Sequence, residues 1–360
     1  LANALSEGVA AALALVPETG GVSLSGREGA GPSVYALEGT LLRAEGRLRV
    51  SARLVETATG RVTWSEVFDR REDDLFAVQD SIVIGIATAL RIELSDGEQA
   101  RAGNVAGTDN LEAWLLAARA LERMRGLTPE RVQEARLYYT RALQLDPRYT
   151  SAMSGLAFTH VVETVFGWSE DPGASVATIS ALADELLVHE VSRPAGLSLS
   201  AFVALFGSDH QRAADLARAG ARQSPSGADY AALCAFVLSY GDDPEGAVEM
   251  IERAISLSPG YKPWYVWMRA RAHRLAGQPG EALAMLEAMG PEADGSPVFL
   301  LERVLATSAA GKEREARRLA QLFLRQAHGF SADRWLAYPA HARDEVARSE
   351  KALLAKAGIP

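Results

Sequence analysis

The hydrophobic pattern changes along the chain from alternating positions near the amino terminus to helical spacing over the remainder. In the clearest alternating stretch, Leu48, Val50, Ala52 and Leu54 are separated by arginine and serine residues. A period of two predicts a strand with one buried face and one polar face. The predicted strands cover residues 22–25, 34–43, 47–56 and 61–70.

Helical spacing flanks these strands and predicts that helices cover one face of the sheet. Residues 1–16 place Leu5, Val9 and Leu13 on one helical face. A second helix, from Leu75 to Leu94, has an apolar stripe formed by Phe76, Val83, Ile86 and Leu90. Because one sheet face is covered in this way, the first 97 residues are predicted to form an α+β module.

Arginines form a row on the polar face of the clearest strand, at Arg47, Arg49 and Arg53. Such a row could bind an anion, and the alternative is a sheet face that is exposed to water and binds nothing. On the neighbouring strand, the residues predicted to share one side are Val62, Trp64 and Phe68.

A fixed period appears after residues 98–108, which are rich in Gly, Asp and Asn and are predicted to be a linker. Small residues that permit close helix packing recur 34, 35 and 34 residues apart, at Ala213, Ala247, Ala282 and Ala316. A glycine precedes each of them by five or six residues, at Gly207, Gly241, Gly277 and Gly311. Prolines that end helices recur in the same register, at Pro147, Pro225 and Pro259.

A helix–turn–helix unit of about 34 residues with these small residues is typical of tetratricopeptide repeats. The pattern predicts five to six units over residues 109–341 and a terminal capping helix at residues 342–360. The predicted fold is therefore an α+β amino-terminal module followed by an all-α tetratricopeptide (TPR) superhelix, an α–α solenoid.

Charge and composition narrow the choice of partner. The net charge of −9 argues against contact with nucleic acid, because nucleic-acid-binding domains usually present a basic face. No stretch reaches the ~18 apolar residues of a membrane span, so a cytoplasmic location is expected. A periplasmic location stays open if a span lies upstream. The chain begins at Leu1, within a predicted helix, and is expected to be a fragment.

The residues give no pattern for catalysis. None of the six histidines is spaced from another histidine or from Cys234 as metal ligands are. Neither a nucleophile elbow nor a dinucleotide fingerprint is present, and the glycines of residues 26–33 lack the lysine of a phosphate loop. The sequence therefore predicts no catalytic residue, no metal, no cofactor and no enzyme activity.

One aromatic and basic stripe is a candidate binding site. Trp264, Trp267, Arg271 and Arg274 have the spacing of one helical face, which the repeat register places on the inner, concave side. Indole rings and guanidinium groups could hold a protein or an acidic peptide by stacking and paired hydrogen bonds. In the alternative, the tryptophans pack between repeats and the arginines face solvent. A second copy of the chain, forming a homodimer, is a further alternative for the partner.

The segment from Val34 to Asp69, continued by Leu75-Phe-Ala-Val-Gln-Asp80, resembles the TolB-type amino-terminal domain that precedes tetratricopeptide repeats in bacterial signalling proteins. The ending Ala352-Leu-Leu-Ala-Lys-Ala-Gly-Ile-Pro360 resembles the carboxyl terminus of the same proteins. The resemblance implies an effector domain upstream, most often a class III adenylate or guanylate cyclase. No cyclase motif stands in this sequence.

Three functions follow as expectations. The first is a non-catalytic interaction and regulatory region of a signalling protein of the adenylate cyclase type. The second is the sensory region of a CadC-like transcription regulator, and the third is a freestanding TPR adaptor. The residues upstream of Leu1 would distinguish them, because they would contain cyclase aspartates, a winged helix with a membrane span, or almost nothing.

Overall fold

The computed structural model divides into two compact units, Leu1–Leu116 with Arg141–Ser151, and Ala117–Thr140 with Ala152–Pro360. The residues it describes are 9, 22–24, 35–44, 46–71, 78, 81–86, 108, 110–124, 127–258, 263–290, 295–327, 329–337, 339 and 341–359. Apart from Val9, which is helical and buried, the predicted helix at residues 1–16 lies outside them. The predicted limits of module, linker, repeats and cap stay predictions.

The first unit contains a four-stranded sheet whose strands lie in chain order. The strands are β1 (Val22–Leu24), β2 (Tyr35–Ala44), β3 (Arg47–Glu56) and β4 (Val62–Arg71). The first pair of strands is parallel, and the two following pairs are antiparallel. Gly46 and Gly60, in the two hairpin turns, have φ values of 72° and 71°, which L side chains adopt only at a cost.

One face of this sheet is buried, as the alternation predicts. The predicted core residues of β3 are all buried, namely Leu48, Val50, Ala52 and Leu54. Residues 81–86 are helical and lie against this face. The indole ring of Trp64 approaches Gly85 so closely that a Cβ there would lie 2.6 Å from a ring carbon. The helix can therefore approach the sheet at this point only because it carries a glycine.

The prediction for Val62 is wrong. Leu54 lies opposite Trp64, but Val55 lies opposite Val62, so the pairing of β3 and β4 skips one residue. A bulge of this kind reverses the side to which the following side chains point. Val62 is consequently 49% exposed, whereas Phe68 is buried as expected.

The arginine row of β3 is matched by carboxylates on the neighbouring strands. Arg47 and Arg49 both form ion pairs with Asp69, and Arg53 pairs with Glu38. These groups are exposed, and cross-strand pairs of this kind contribute little to stability. The anion-binding interpretation is thus weakened, because the guanidinium groups already have partners.

The rest of the described chain is helical. Its helices are α1 (Leu111–Met124), α2 (Pro129–Leu145), α3 (Thr150–Val165), α4 (Pro172–Leu187), α5 (Arg193–Phe206), α6 (His210–Gln223), α7 (Ala228–Tyr240), α8 (Pro244–Leu257), α9 (Pro263–Leu275), α10 (Pro279–Ala288), α11 (Pro297–Ala309), α12 (Glu313–Gln326), α13 (Ala332–Ala337) and α14 (Asp344–Lys356). Prolines at the first turns fit the helix starts, since a proline there removes no helical hydrogen bond.

From α5 to α12 the helices pack as consecutive pairs, and each odd-numbered helix also packs against the next odd-numbered helix. We call the odd-numbered helices of these pairs the first helices. The four alanines that revealed the period lie in the second helices and are 0–1% exposed, namely Ala213, Ala247, Ala282 and Ala316. The chain is thus an α+β module followed by an all-α, tetratricopeptide-type solenoid, as predicted.

The turn inside the pair explains two of the four recurring glycines, whereas Gly207 and Gly241 have φ values of −82° and −79°. Gly277 and Gly311 adopt φ values of 79° and 76°, and the next residue donates its N–H back to a carbonyl of the first helix. This is a common way to satisfy the last carbonyls of a helix. In an earlier pair the left-handed residue is Ser208, with φ 59°, and not Gly207.

Close packing at small residues can be tested at Gly196, where a Cβ would lie 3.0 Å from the carbonyl oxygen of Ala183 and 2.9 Å from the side chain of Leu187. Gly196→Ala should lower the free energy of unfolding by about 1–3 kcal/mol, because the two helices cannot approach as closely. Urea denaturation followed by circular dichroism measures this.

Gly280→Ala is the matched control, because a Cβ there has no neighbour within 4 Å and the residue is helical. This variant should be neutral or more stable, since alanine favours helix over glycine. Equal effects of the two substitutions would contradict the packing argument.

Candidate functional site

The four residues predicted to bind a partner all project from α9 toward neighbouring first helices. Trp264 and Trp267 contact aromatic rings, whereas Arg271 and Arg274 contact polar and acidic groups. The helical face inferred from the spacing is therefore a single face in the structure. It divides into an aromatic half and a charged half.

The aromatic half forms a cleft whose walls are entirely apolar. The ring of Trp264 lies 6.0 Å from that of Phe158, and the ring of Trp267 lies 5.3 Å from Phe166 and 5.7 Å from Phe236. The cleft has an empty volume of about 360 Å³, including its open mouth. It is lined by Leu127, Phe158, Val161, Val162, Val165, Phe166, Phe202, Phe236, Trp264, Trp267 and Met268. All but Leu127 and Phe166, which directly follows α3, come from α3 and the first helices α5, α7 and α9.

Residues that are far apart in the chain meet at the cleft. Phe158 lies in α3 and Trp264 in α9, with five helices between them in the chain. The hydroxyl of Ser296 donates a hydrogen bond of 3.1 Å to the carbonyl oxygen of Leu127. Contacts of this kind leave a cleft, not an open channel, on the aromatic half.

The charged half is a buried cluster centred on Arg274. Its guanidinium group donates two hydrogen bonds to Glu302 of α11, and a third, of 2.6 Å, to Glu350 of α14. The paired contact with Glu302 has the fork geometry that arginine and carboxylate favour. All three side chains are almost completely buried.

Arg271 joins the same cluster from one turn earlier. Its Nε donates to the hydroxyl of Ser239, and its guanidinium group lies 4.4 Å from the ring centre of Tyr240 and 3.4 Å from Glu350. His341 stacks on Tyr240 and places its Nε2 3.0 Å from Glu350. Because a carboxylate only accepts, this Nε2 carries the hydrogen.

The charges of the cluster balance. Burial favours a neutral Glu350, but the guanidinium groups of Arg271 and Arg274 outweigh it and hold the pKa of Glu350 well below its usual range. Burial favours a neutral Arg274, but Glu302 and Glu350 outweigh it and raise the pKa of Arg274. Burial also lowers the pKa of His341, which is therefore neutral near pH 7. Two cations face two anions.

The sequence predicted that the four α9 residues share one helical face, but it did not predict the acidic partners of the two arginines. The alternative in which the arginines face solvent is wrong, since Arg271 is 1% exposed and Arg274 is also buried. Their acidic partners were missed because Glu302 and Glu350 are distant in the chain. One available signal was Glu302, a lone acidic residue in the apolar run Pro297-Val-Phe-Leu-Leu-Glu302. Partner binding by the four α9 residues stays a prediction.

Three observations in the described part of the chain bear on other functions. The residues described there contain no group of three or more His, Cys, Asp or Glu placed to hold a metal ion. Among the helices described, none has the length and apolar character needed to cross a membrane. Burial raises the pKa of Cys234 to about 12, so its thiol stays protonated and is a poor nucleophile.

Comparisons with known proteins give partial matches. No family model matches the sequence. The chain is 31% identical over 162 residues to Putative adenylate cyclase 3 of Rhizobium meliloti (strain 1021). The matched segment is 45% of this chain and 27% of that protein. It thus spans about a quarter of that relative. Yeast Tom70 matches 78% of this chain and 75% of its own chain, at 12% identity and a TM-score of 0.30.

The buried cluster predicts a large effect for Arg274→Met. The substitution leaves Glu302 and Glu350 with Arg271 as the nearest cation, and an uncompensated buried charge typically costs about 3–5 kcal/mol. Urea denaturation should show a loss of this order. Arg318→Met, which removes an exposed ion pair with Glu315, should cost at most about 1 kcal/mol. Similar losses for the two variants would rule out the strong coupling described here.

Proposed function

We propose that this chain is a non-catalytic interaction and regulatory region of a bacterial signalling protein of the adenylate cyclase type. It binds a peptide or protein partner through the aromatic cleft on the inner side of its helical array. The observation that carries this proposal is the convergence of four helices, α3, α5, α7 and α9, on one wholly apolar cleft that opens to solvent.

The cleft suits an uncharged anchor. Phe158, Phe166 and Trp264 are half-buried, so part of each ring is accessible at the mouth. A charged group placed among these walls would lose its hydration without gaining a partner, which is costly. A large apolar side chain would instead gain contact with several aromatic rings, as the central anchors of protein interfaces do.

The arginines have a different part in this proposal. Because Arg271 and Arg274 are paired with carboxylates inside the protein, they hold α7, α9 and α11 in register and support the cleft from one side. Trp264 and Trp267 provide the contact surface. The acidic peptide considered from the sequence is thus replaced, at this cleft, by an apolar anchor.

The link to a cyclase rests on two observations. The relative whose name is Putative adenylate cyclase 3 is 31% identical over 162 residues, and residues 34–69 resemble a TolB-type module. In this proposal the effector domain belongs to the same polypeptide and acts in the cytoplasm. The array then transmits the presence of its partner to that domain.

A displayed library of random peptides, selected on the purified chain, tests the cleft. We expect the enriched peptides to share an aromatic or large aliphatic residue at one position. A fluorescent copy of the best peptide should bind Trp264→Ala at least ~30-fold more weakly, since truncating a central anchor contact commonly costs ~2 kcal/mol or more. Fluorescence anisotropy measures the affinities.

Leu137→Ala is the control for that experiment, because Leu137 is an apolar residue of α2 that is 72% exposed. Its affinity for the peptide should equal that of the unchanged chain. Selection of peptides without an apolar residue in common, or equal binding by Trp264→Ala, would refute the proposed site.

The non-catalytic part of the proposal has its own test. The purified chain, incubated with ATP or GTP and magnesium or manganese, should form no cyclic nucleotide above the level of a protein-free blank. Chromatography of the nucleotides measures this. Turnover that co-purifies with the chain and persists through several columns would overturn the assignment.

A further inference from the structure

The segment from His341 to Ile359, here called the strap, crosses the carboxyl-terminal ends of three successive first helices. Its Ala342 N–H donates a 2.8 Å hydrogen bond to the carbonyl oxygen of Tyr240, the last residue of α7. Glu350 reaches the arginines of α9, and the hydroxyl of Ser308 in α11 donates to the carbonyl of Leu353. A terminal cap would cover only the last pair, whereas the strap contacts three.

The charges of the array require an anion at the position of Glu350. Without the strap, the two guanidinium groups of Arg271 and Arg274 would face the single carboxylate of Glu302. Because a buried charge without a counter-ion is strongly unfavourable, this surface accepts a carboxylate from outside the helix pairs. His341 does not change the balance, since burial lowers its pKa and keeps it neutral.

The other attachments of the strap are apolar contacts, hydrogen bonds at its backbone and exposed ion pairs. Its apolar anchors are Leu354, Ala357 and Ile359, which pack into the cluster formed with α11, α12 and α13. Its ion pairs Arg343–Asp242 and Lys351–Asp333 are exposed and contribute little. A helix as short as α14 is also marginal on its own in water. Glu350 is thus the one buried carboxylate of the strap, which is otherwise held by hydrogen bonds at the backbone of Ala342, Leu353 and Lys356 and by a short apolar edge.

We propose that the strap is an exchangeable occupant of the inner surface, and that an acidic amphipathic helix of a partner protein binds in its place. The partner helix presents a glutamate or aspartate to Arg271 and Arg274, and an apolar residue one turn later to the pocket of Leu354. This proposal rests on the proposed function, since it assigns a partner and a means of regulation to the same array.

Exchange would change the aromatic cleft as well. The strap contacts Tyr240 at the end of α7 and the arginines of α9, and both helices contribute walls to the cleft. Removing the strap therefore releases a link between two of the cleft helices. A partner that replaces it re-forms the link, which couples occupation of the charged half to the shape of the aromatic half.

The probe is a fluorescent synthetic peptide with the sequence of residues 341–360, titrated into the full chain. We expect it to bind Glu350→Gln at least about tenfold more tightly than the unchanged chain, in which the attached strap competes at a high effective concentration. Glu345→Gln is the matched control, because Glu345 is an exposed carboxylate of the same helix. It should behave like the unchanged chain.

The chemistry of the acceptor is tested with a second peptide in which glutamine replaces the glutamate at position 350. We expect this peptide to bind Glu350→Gln at least about tenfold more weakly than the first, since a neutral amide leaves the two arginines unbalanced. Equal binding of the two peptides, or equal binding of the first peptide by all chains, would overturn the proposal. A concentration-dependent dimer that exchanges straps between copies would assign the site to a second copy instead.

Hydrogen exchange on the unchanged chain keeps the test valid if Glu350→Gln fails to fold. Amides of α14 should exchange at least about tenfold faster than those of α9, because the strap opens without global unfolding. Equal protection of the two helices would overturn the proposal. Loss of peptide binding by Trp264→Ala reports on the aromatic cleft alone, so the two proposals can fail separately.

Discussion

Close contact between short helices, made possible by small residues, is the constraint on which the rest of the structure depends. The alanines at the helix contacts are fully buried, and Gly196 and Gly220 approach the backbone of the neighbouring helix within about 3 Å of where a Cβ would stand. Close approach of this kind lets successive pairs stack. The first helices of neighbouring pairs then contact one another.

The inner surface that results is divided by chemistry. Its aromatic half, around Trp264 and Trp267, is apolar and partly open, and its charged half, around Arg271 and Arg274, is buried and neutral overall. Neighbouring residues on one helical face thus serve two physical purposes. An apolar surface favours an uncharged anchor, whereas the arginines require carboxylates wherever these come from.

The period of the repeat could be predicted from the sequence because it depends on local contacts. The small residue at each contact, the glycine in each turn and the proline after several second helices all act within about one unit. The face carrying Trp264 and Arg271 could be predicted for the same reason. The partner of Arg271 could not be predicted, because Glu350 lies 79 residues away in the chain and meets Arg271 only after several helix pairs have stacked. The exposure of Val62 depends on a bulge in the pairing of two strands, which alternation within one strand does not reveal.

The hydrogen bond from Ser296 to Leu127 joins two parts of the second unit that are 169 residues apart in the chain. In an open solenoid each repeat touches only its neighbours, so segments can melt from either end. Bridges across the inner side, such as Phe158 against Trp264, break that rule. Loss of any one pair would then loosen pairs far along the chain, and the unit should melt as one cooperative body. A signal that strains one repeat would, by the same route, be felt by distant ones.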